Sequence, residues 1–288
     1  MPKIDLAMWT FNGESTLSQV LQRINQVIPS ECINKRLIID DNSTDSTREI
    51  ARFHGWQVFR NKGKGISDGA NTALSYIKTE FFCTFEQDIL LSPLWWSKIE
   101  PYIGKYDAVS GIRFSDKPSY VNHLQTYTYK KYLGENKLPA WLQSRKFSSF
   151  TLGKTLDNTL WRTSSLQKIG GFPNLKLNSG IDTFLAYQLY QERFTWFVDY
   201  TNKSIHLRPK GLKQELNHQY WYASTLPDLW KTMKKFGLPQ HISWLEVCLR
   251  FIISIFTGFF VAIKTHDPNI VWLHPLIKLY YLRGLLHV

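Results

Sequence analysis

Cysteine is scarce in this chain. Cys32, Cys83 and Cys248 are odd in number and far apart among 288 residues. That spacing excludes a disulfide framework and a cysteine-built zinc site, and it predicts a reducing compartment. Long apolar runs are also missing. The charge-free stretch at residues 251–263 falls short of the ~20 residues a helix needs to cross a bilayer. No secretory leader is expected, because the chain passes from Pro2-Lys3 straight into a strand-like run at residues 4–9. There is no internal repeat and no low-complexity tract, which excludes solenoids and disordered linkers.

What is present points to a packed enzyme-sized domain with an anionic neighbour. Hydrophobic residues make up 43% of the chain, enough for a large core. Aromatics reach 15%, with 11 tryptophans. Beyond core needs, such residues serve sugar faces, membrane interfaces or partner surfaces. The formal charge of +12 calls for a nucleotide, a nucleic acid or anionic lipid.

The organising stretch is Phe81-Phe82-Cys83-Thr84-Phe85-Glu86-Gln87-Asp88. Aromatic and β-prone residues predict a buried strand that runs into two carboxylates. In open α/β sheets, ligands bind beyond the C-terminal strand ends. Two hard oxygen donors there suit Mg²⁺ or Mn²⁺, which in turn suits a diphosphate. A polar turn after a strand is the plain alternative.

Around it, strands and helices alternate. Strands are predicted at residues 4–9, 37–39, 56–59, 107–112, 159–162 and 195–200. Helices are expected over 17–28, ended by Pro29, and after Ser43 or Asp45, ended by Gly55. Others follow the glycine-rich loop at 61–69 and start at Ser92-Pro93, at Ser164 and after Ser179, with Asp182 in a first turn and His206 just beyond the last strand. Such alternation argues a mostly parallel sheet covered on both faces. Residues 115–150 break it and read as a variable acceptor-side insertion.

From about residue 212 the character changes. Trp221, Tyr222, Leu226, Leu229, Trp230, Met233 and Phe236 alternate with Lys231, Lys234 and Lys235, a basic amphipathic pattern. Residues 242–263 are almost wholly apolar, broken by Glu246 and Arg250. Helices of this kind lie on an anionic membrane; the alternative is a helical cap packed on the sheet with a solvated basic face. The expected division is residues 1–210 as the catalytic domain and 211–288 as a helical, membrane-associating region.

Several motifs fall on one sheet edge in a set order. They are Thr10-Phe11-Asn12-Gly13-Glu14, the run Ile38 to Asp45, Asn61-Lys62-Gly63-Lys64-Gly65 with Ala70-Asn71, and Phe85-Glu86-Gln87-Asp88. Gly170-Gly171-Phe172, Gly180-Ile181-Asp182 and His206-Leu207-Arg208-Pro209 follow. In order and spacing this set resembles the family 2 glycosyltransferases, inverting enzymes of GT-A fold, over roughly residues 3–210.

The resemblance implies a Rossmann-like α/β sheet flanked by helices and a nucleoside-diphosphate sugar donor, UDP-linked in slight preference to GDP-linked. It implies Mg²⁺ or Mn²⁺ as cofactor and a glycan or lipid-linked acceptor. The enzyme would then work on the cytoplasmic face of an anionic membrane, and no nucleic acid is expected. Asp40 or Asp41 would accept hydrogen bonds from the base; helix capping is their alternative role. Thr10, Phe11 and Asn12 would line the nucleotide pocket. Asn61 and Gly63 would let the chain approach the donor, with Lys62 or Lys64 meeting phosphate or simply completing a turn. Asp88 matches the final acid of the family's Asp-x-Asp motif and would bind the cation. Glu86 replaces the usual Asp, and His206 would be a further ligand to the metal or diphosphate. Asp182 would be the catalytic base. A helix dipole lowers the pKa of such a residue, so burial or a bound acceptor must offset it.

Rival classes fit less well. A nicotinamide dehydrogenase needs GxGxxG after the first strand, and the glycines at 63, 65 and 69 meet neither condition. A nucleotidyltransferase needs a Gly- and Arg-rich loop there, which Thr10–Gly13 is not. A non-catalytic nucleic-acid binder explains the charge but not carboxylates gathered at three strand ends, which repel phosphate.

Overall fold

The computed structural model describes residues 2–115, 153–175, 180–207, 211–236 and 244–286. The expected insertion at 115–150, the Ser179 cap and Arg208-Pro209 fall almost entirely outside these residues. The chain forms two compact units. The first contains 1–114, 150–176 and 181–207, and the described helices of the second lie within 208–288.

The first unit is built on β1 (Ile4–Thr10), which is buried along its whole length. Successive side chains of a strand point to opposite faces. Ile4, Leu6 and Met8 therefore join one core layer, with Leu17, Val20, Leu21 and Ile24 of α1 (Glu14–Val27). Ala7 and Trp9 join the other, with Ala70 and Ala73 of α3 (Gly65–Tyr76) and with Phe172. A strand buried on both faces is mostly apolar, which is why residues 4–9 read as a strand; the one charged residue, Asp5, is wholly buried and accepts from Asn34 Nδ2 and from the Lys78 amide, each at 2.7 Å.

Around β1 lie β2 (Ile33–Asp40), β3 (Gln57–Arg60), β4 (Phe81–Glu86), β5 (Ile89–Leu90), β6 (Ala108–Ser115), β7 (Asn158–Arg162) and β8 (Trp196–His206). Their order is β3-β2-β1-β4-β7-β6-β8-β5. The first four are parallel. Beyond β4 the described pairings turn antiparallel, β4 with β7, β7 with β6 and β8 with β5. The parallel half thus ends at the acidic stretch itself. The remaining helices of this unit are α2 (Thr47–Phe53), α4 (Trp95–Ile99), α5 (Thr163–Lys168) and α6 (Ile181–Gln191).

Among the boundaries that differ from the sequence reading, three stand out. Helix α3 starts at Gly65, so the glycine loop is short. Helix α4 starts at Trp95, because Ser92 and Pro93 form a turn in which the Ser92 carbonyl accepts from the Trp95 amide. His206 is the last residue of β8 rather than a residue beyond it, since Ile89 of the unforeseen β5 pairs with it.

Among the described residues the second unit contains three helices, α7 (Leu212–Lys235), α8 (Trp244–Thr265) and α9 (Ile270–Leu286). Close approaches need small residues: a Cβ on Gly258 would meet the Ile270 carbonyl oxygen at 3.2 Å. Val261, Ala262, Ile270 and Ile277 close the α8–α9 contact with Leu216. Among the described residues no helix is long and apolar enough to cross a membrane.

Candidate active site

The C-terminal ends of the parallel strands bring the sequence motifs together. In register, Thr10 stands opposite Asp40, Asp40 opposite Arg60, and Trp9 opposite Glu86. A cleft open to solvent lies over this edge, lined by Trp9, Thr10, Phe11, Asp41, Asn61, Gly65, Ile66 and Glu86-Gln87-Asp88. Strand ends at this edge leave loops free to face a ligand, as expected for an open α/β sheet.

One wall is a mesh of loop-to-loop hydrogen bonds. Asn12, at φ 47, donates its amide to Ser43 Oγ at 2.9 Å and accepts from the Thr44 amide at 2.9 Å. The Gly13 amide donates to Thr47 Oγ1 at 2.8 Å, and the Glu14 amide to Asp45 Oδ2 at 3.0 Å. The residues Asn42 to Thr47 therefore latch the β1–α1 loop. Asp45 also accepts from the Thr47 amide at the start of α2, but it does so from the position before the N-cap, which is Ser46 rather than the expected Ser43 or Asp45.

Asp40 and Asp41 divide their work. Asp40 is buried, accepts from the Ser43 amide at 3.1 Å through Oδ2, and lies 4.0 Å from Arg48 Nε. Asp41 faces the cleft. Its carboxylate accepts from Asn61 Nδ2 at 3.1 Å and from the Gly65 amide at 2.8 Å. Asn61 in turn accepts from the Gly63 amide. Gly63 is required because Asp68, accepting from the Lys64 amide at 2.8 Å, occupies the space a Cβ would fill.

The lysines do not converge on the cleft. Lys62 folds back, with its Nζ 3.2 Å from Ser75 Oγ and over the Tyr76 ring. Lys64 is exposed. Asn12, Asp40, Gly63 and Lys64 support the lining rather than form it. Thr10 Oγ1 and Asp40 Oδ1 are buried with no hydrogen-bond partner among the described residues, and Thr10 belongs to the lining itself.

The other wall carries concentrated charge. Asp88 Oδ2 and His206 Nε2 are 2.9 Å apart, brought together by the β5–β8 pairing. Burial opposes ionisation of Asp88, but the His206 hydrogen bond and charge, with Arg113, outweigh it and hold the carboxyl below its usual range. Glu86 lies 3.8 Å from Arg113 Nη1 and keeps a quarter of its side chain open to the cleft. Burial pushes its pKa to about 7. Arg113 resists that shift, while the charges of Asp88 and Asp182 add to it. Asp182 sits in the first turn of α6 and accepts from the Thr183 amide at 2.8 Å. Burial raises its pKa against the pull of Arg113 and of that amide. The offset to the helix dipole that a base requires is thus supplied by the fold.

Sequence reasoning missed two residues here. Arg113, on β6, pairs with Glu86 and with the wholly buried Asp157, and its charge reaches Asp88 and Asp182 too. Gln87, between the acids, accepts from the Phe11 amide at 2.9 Å and donates to the Phe11 carbonyl at 3.0 Å. A Cβ on Gly13 would come within 2.6 Å of its Oε1. No local signal marks Arg113. The strand alternation predicted only that β6 exists.

Among the described residues no three His, Cys, Asp or Glu side chains form a ready-made metal cage. Mg²⁺ seldom uses one, because it keeps several waters and takes one or two carboxylates plus substrate phosphates. Asp88 and Glu86 beside an open cleft are hard oxygen donors of that kind.

The architecture is that of known glycosyltransferases. A mannosyltransferase from Pyrobaculum calidifontis, solved with GDP-Man and Mn²⁺, superposes with TM-score 0.66 at 13% identity, covering 99% of this chain and 87% of that one. Glucosyl-3-phosphoglycerate synthase from Mycobacterium tuberculosis, solved with Mn²⁺, UDP and glucosyl-3-phosphoglycerate, does so with TM-score 0.56 at 14% identity, covering 83% and 81%. The fold is therefore GT-A. The family model for glycosyl transferase family 2 matches residues 5–168, more than half of the sequence, and the chain belongs to that family of enzymes. No curated protein matches it.

Proposed function

We propose that this glycosyltransferase moves a sugar, with inversion, from a nucleoside-diphosphate donor to a lipid-linked hydroxyl or phosphate. The observation that carries this reading is the pairing of two unlike walls on one cleft: a hydrogen-bonded mesh around Asp41 and Asn61, and an acidic wall of Glu86 and Asp88 that the charge of Asp182 reaches. The first suits a base and ribose. The second suits a diphosphate only if a cation intervenes. Solved relatives hold UDP in one case and GDP-Man in another, each with Mn²⁺. UDP-linked sugars are the first donors to test and GDP-linked ones the second.

Asp88 would hold Mg²⁺ or Mn²⁺, with Glu86 and His206 beside it; the ion neutralises charge on the departing diphosphate. Thr10, Phe11, Asp41 and Asn61 bind and orient the nucleotide, with Asn12, Asp40, Gly63 and Lys64 shaping the loops behind them. Asp182 takes the acceptor's proton. Inversion needs a single displacement, hence one base and no enzyme nucleophile, and the raised pKa of Asp182 suits that task. The expected division of labour is residues 1–210 for donor chemistry and 211–288 for an anionic membrane surface on the cytoplasmic side. Aromatic and basic residues crowd the second region.

The test is Asp182→Asn, which keeps shape and the Thr183 contact. Transfer should fall roughly 10²-fold or more, while nucleotide affinity measured by calorimetry stays within twofold. Near-wild-type transfer would remove Asp182 from the mechanism.

A further inference from the structure

Helix α8 has two faces of the same chemistry and opposite fates. Ser254, Gly258, Val261 and Ala262 are buried, and the latter three meet α9 or its core. Most of the described remainder between residues 249 and 263 is apolar and open. Leu249, Ile252, Phe256, Phe259 and Ile263 follow one another at steps of three and four, each about half exposed or more, and Phe256 is 72% exposed. With Ile253, Ile255 and Phe260, also exposed, the stripe covers about 160° of the helix at 100° per residue. Monomeric proteins rarely leave such a surface bare.

We infer that α8 is an in-plane membrane anchor, its open stripe seated at the acyl-chain boundary of an anionic bilayer. This deepens the membrane-side acceptor reading given above and rests on it only for the choice of a lipid surface. Three observations select lipid over a second copy of the chain. First, the stripe is too wide for a coiled-coil seam, which takes only the positions three and four apart. Second, charge complements anionic lipid: residues 211–288 hold eight Lys or Arg against four Asp or Glu. Arg250 and Lys264 bracket the charge-free run in sequence. Third, exposed Trp221 and Trp272 on the neighbouring helices are the aromatic type that settles at headgroup level. The run of 13 residues from 251 to 263 spans about 20 Å against a hydrocarbon core of about 30 Å, so it lies along the surface.

Cys248 gives a natural reporter. It is exposed on α8, whereas Cys32 and Cys83 are buried. The full chain, labelled there with an environment-sensitive dye, is mixed with phosphatidylcholine vesicles with or without phosphatidylglycerol. The anchor predicts blue-shifted emission, quenched by shallow nitroxide lipids, and stronger binding with phosphatidylglycerol. Phe256→Glu with Phe259→Glu should weaken vesicle binding roughly tenfold or more, with the melting curve and UDP–Mn²⁺ stabilisation unchanged. Absence of binding to either vesicle, or a dimer in sedimentation that this double variant dissociates, would overturn the inference. Equal binding to both vesicles would overturn its anionic part. Vesicle binding without transfer to any lipid-linked acceptor leaves the anchor standing and removes the acceptor reading instead.

Discussion

The two walls of the cleft are built on opposite principles. On the β1–β3 side the loops are tied to one another by internal hydrogen bonds, Asn12 with Ser43 and Thr44, Asp41 with Asn61 and Gly65, Gly13 with Thr47, although Thr10 Oγ1 and Asp40 Oδ1 stay without a partner among the described residues. On the β4–β8 side three carboxylates, Glu86, Asp88 and Asp182, share the influence of Arg113, with His206 bonded to Asp88. A satisfied network fixes shape, because each bond made internally removes a conformational alternative. A charge cluster that the protein only partly compensates retains capacity for a ligand. Shape recognition and chemistry are thus segregated across one cleft.

The largest effect should come from deleting charge on the second wall. Asp88→Asn removes the carboxylate that His206 holds ionised. It should abolish transfer and the Mn²⁺-dependent part of nucleotide binding, while the melting temperature without nucleotide changes little. Turnover and thermal shift with UDP, each with and without Mn²⁺, measure this. Full activity in excess chelator would refute a metal role for this wall. The matching change on the first wall, Asn61→Ala, should weaken nucleotide binding with or without metal, which would sharpen the contrast.

Arg113 comes next, because it joins the charged wall to the core. Asp157 is wholly buried, and its carboxylate also accepts from Thr155 Oγ1 at 2.9 Å and Asn158 Nδ2 at 2.6 Å. Arg113→Gln leaves that charge without its ion pair, a change that costs about 3–5 kcal/mol for buried pairs. The lower end applies, since Arg113 is itself 31% exposed. Chemical denaturation should show the loss, and adding Asp157→Asn should recover most of it. Independent, additive effects would show that the two residues do not act as a pair.

Local signals in the sequence mark the first wall, whereas Glu86, Asp88, Asp182 and His206 of the second take their roles from the family resemblance and Arg113 is not named at all. The turn residues from Asp40 to Asp45 and the glycines at 63 and 65 carry local signals, because their bonds close loops of a few residues or join loops at adjacent strand ends. Arg113, Asp182 and His206 reach the site through antiparallel strands and a helix start that lie 27, 96 and 120 residues beyond Glu86 along the chain, and pairings that distant leave no local pattern. Gln87 was hidden for another reason. Between two acids it reads as a spacer, yet its amide clamps both backbone groups of Phe11. The short β5, two residues long, falls below what alternation can reveal, and with it went the placement of His206.

The smallest effect, and the one whose sign is least intuitive, belongs to Glu86. Its folded pKa is about 7 against an ordinary 4.5. Between those values the folded protein binds more protons than the unfolded chain, so stability falls as the pH rises through that window. The ionised carboxylate is therefore a cost to the folded protein above pH 7. A gap of that size corresponds to at most ~3 kcal/mol, and less in practice because a quarter of the side chain is open to solvent. Glu86→Gln removes the ionisation while preserving shape. It should stabilise the protein at pH 8 and leave stability near pH 4 almost unchanged. Denaturant midpoints across this range measure the difference. Equal midpoints for the two proteins at pH 8 would mean that Arg113 fully compensates Glu86, and the second wall would then be as satisfied as the first.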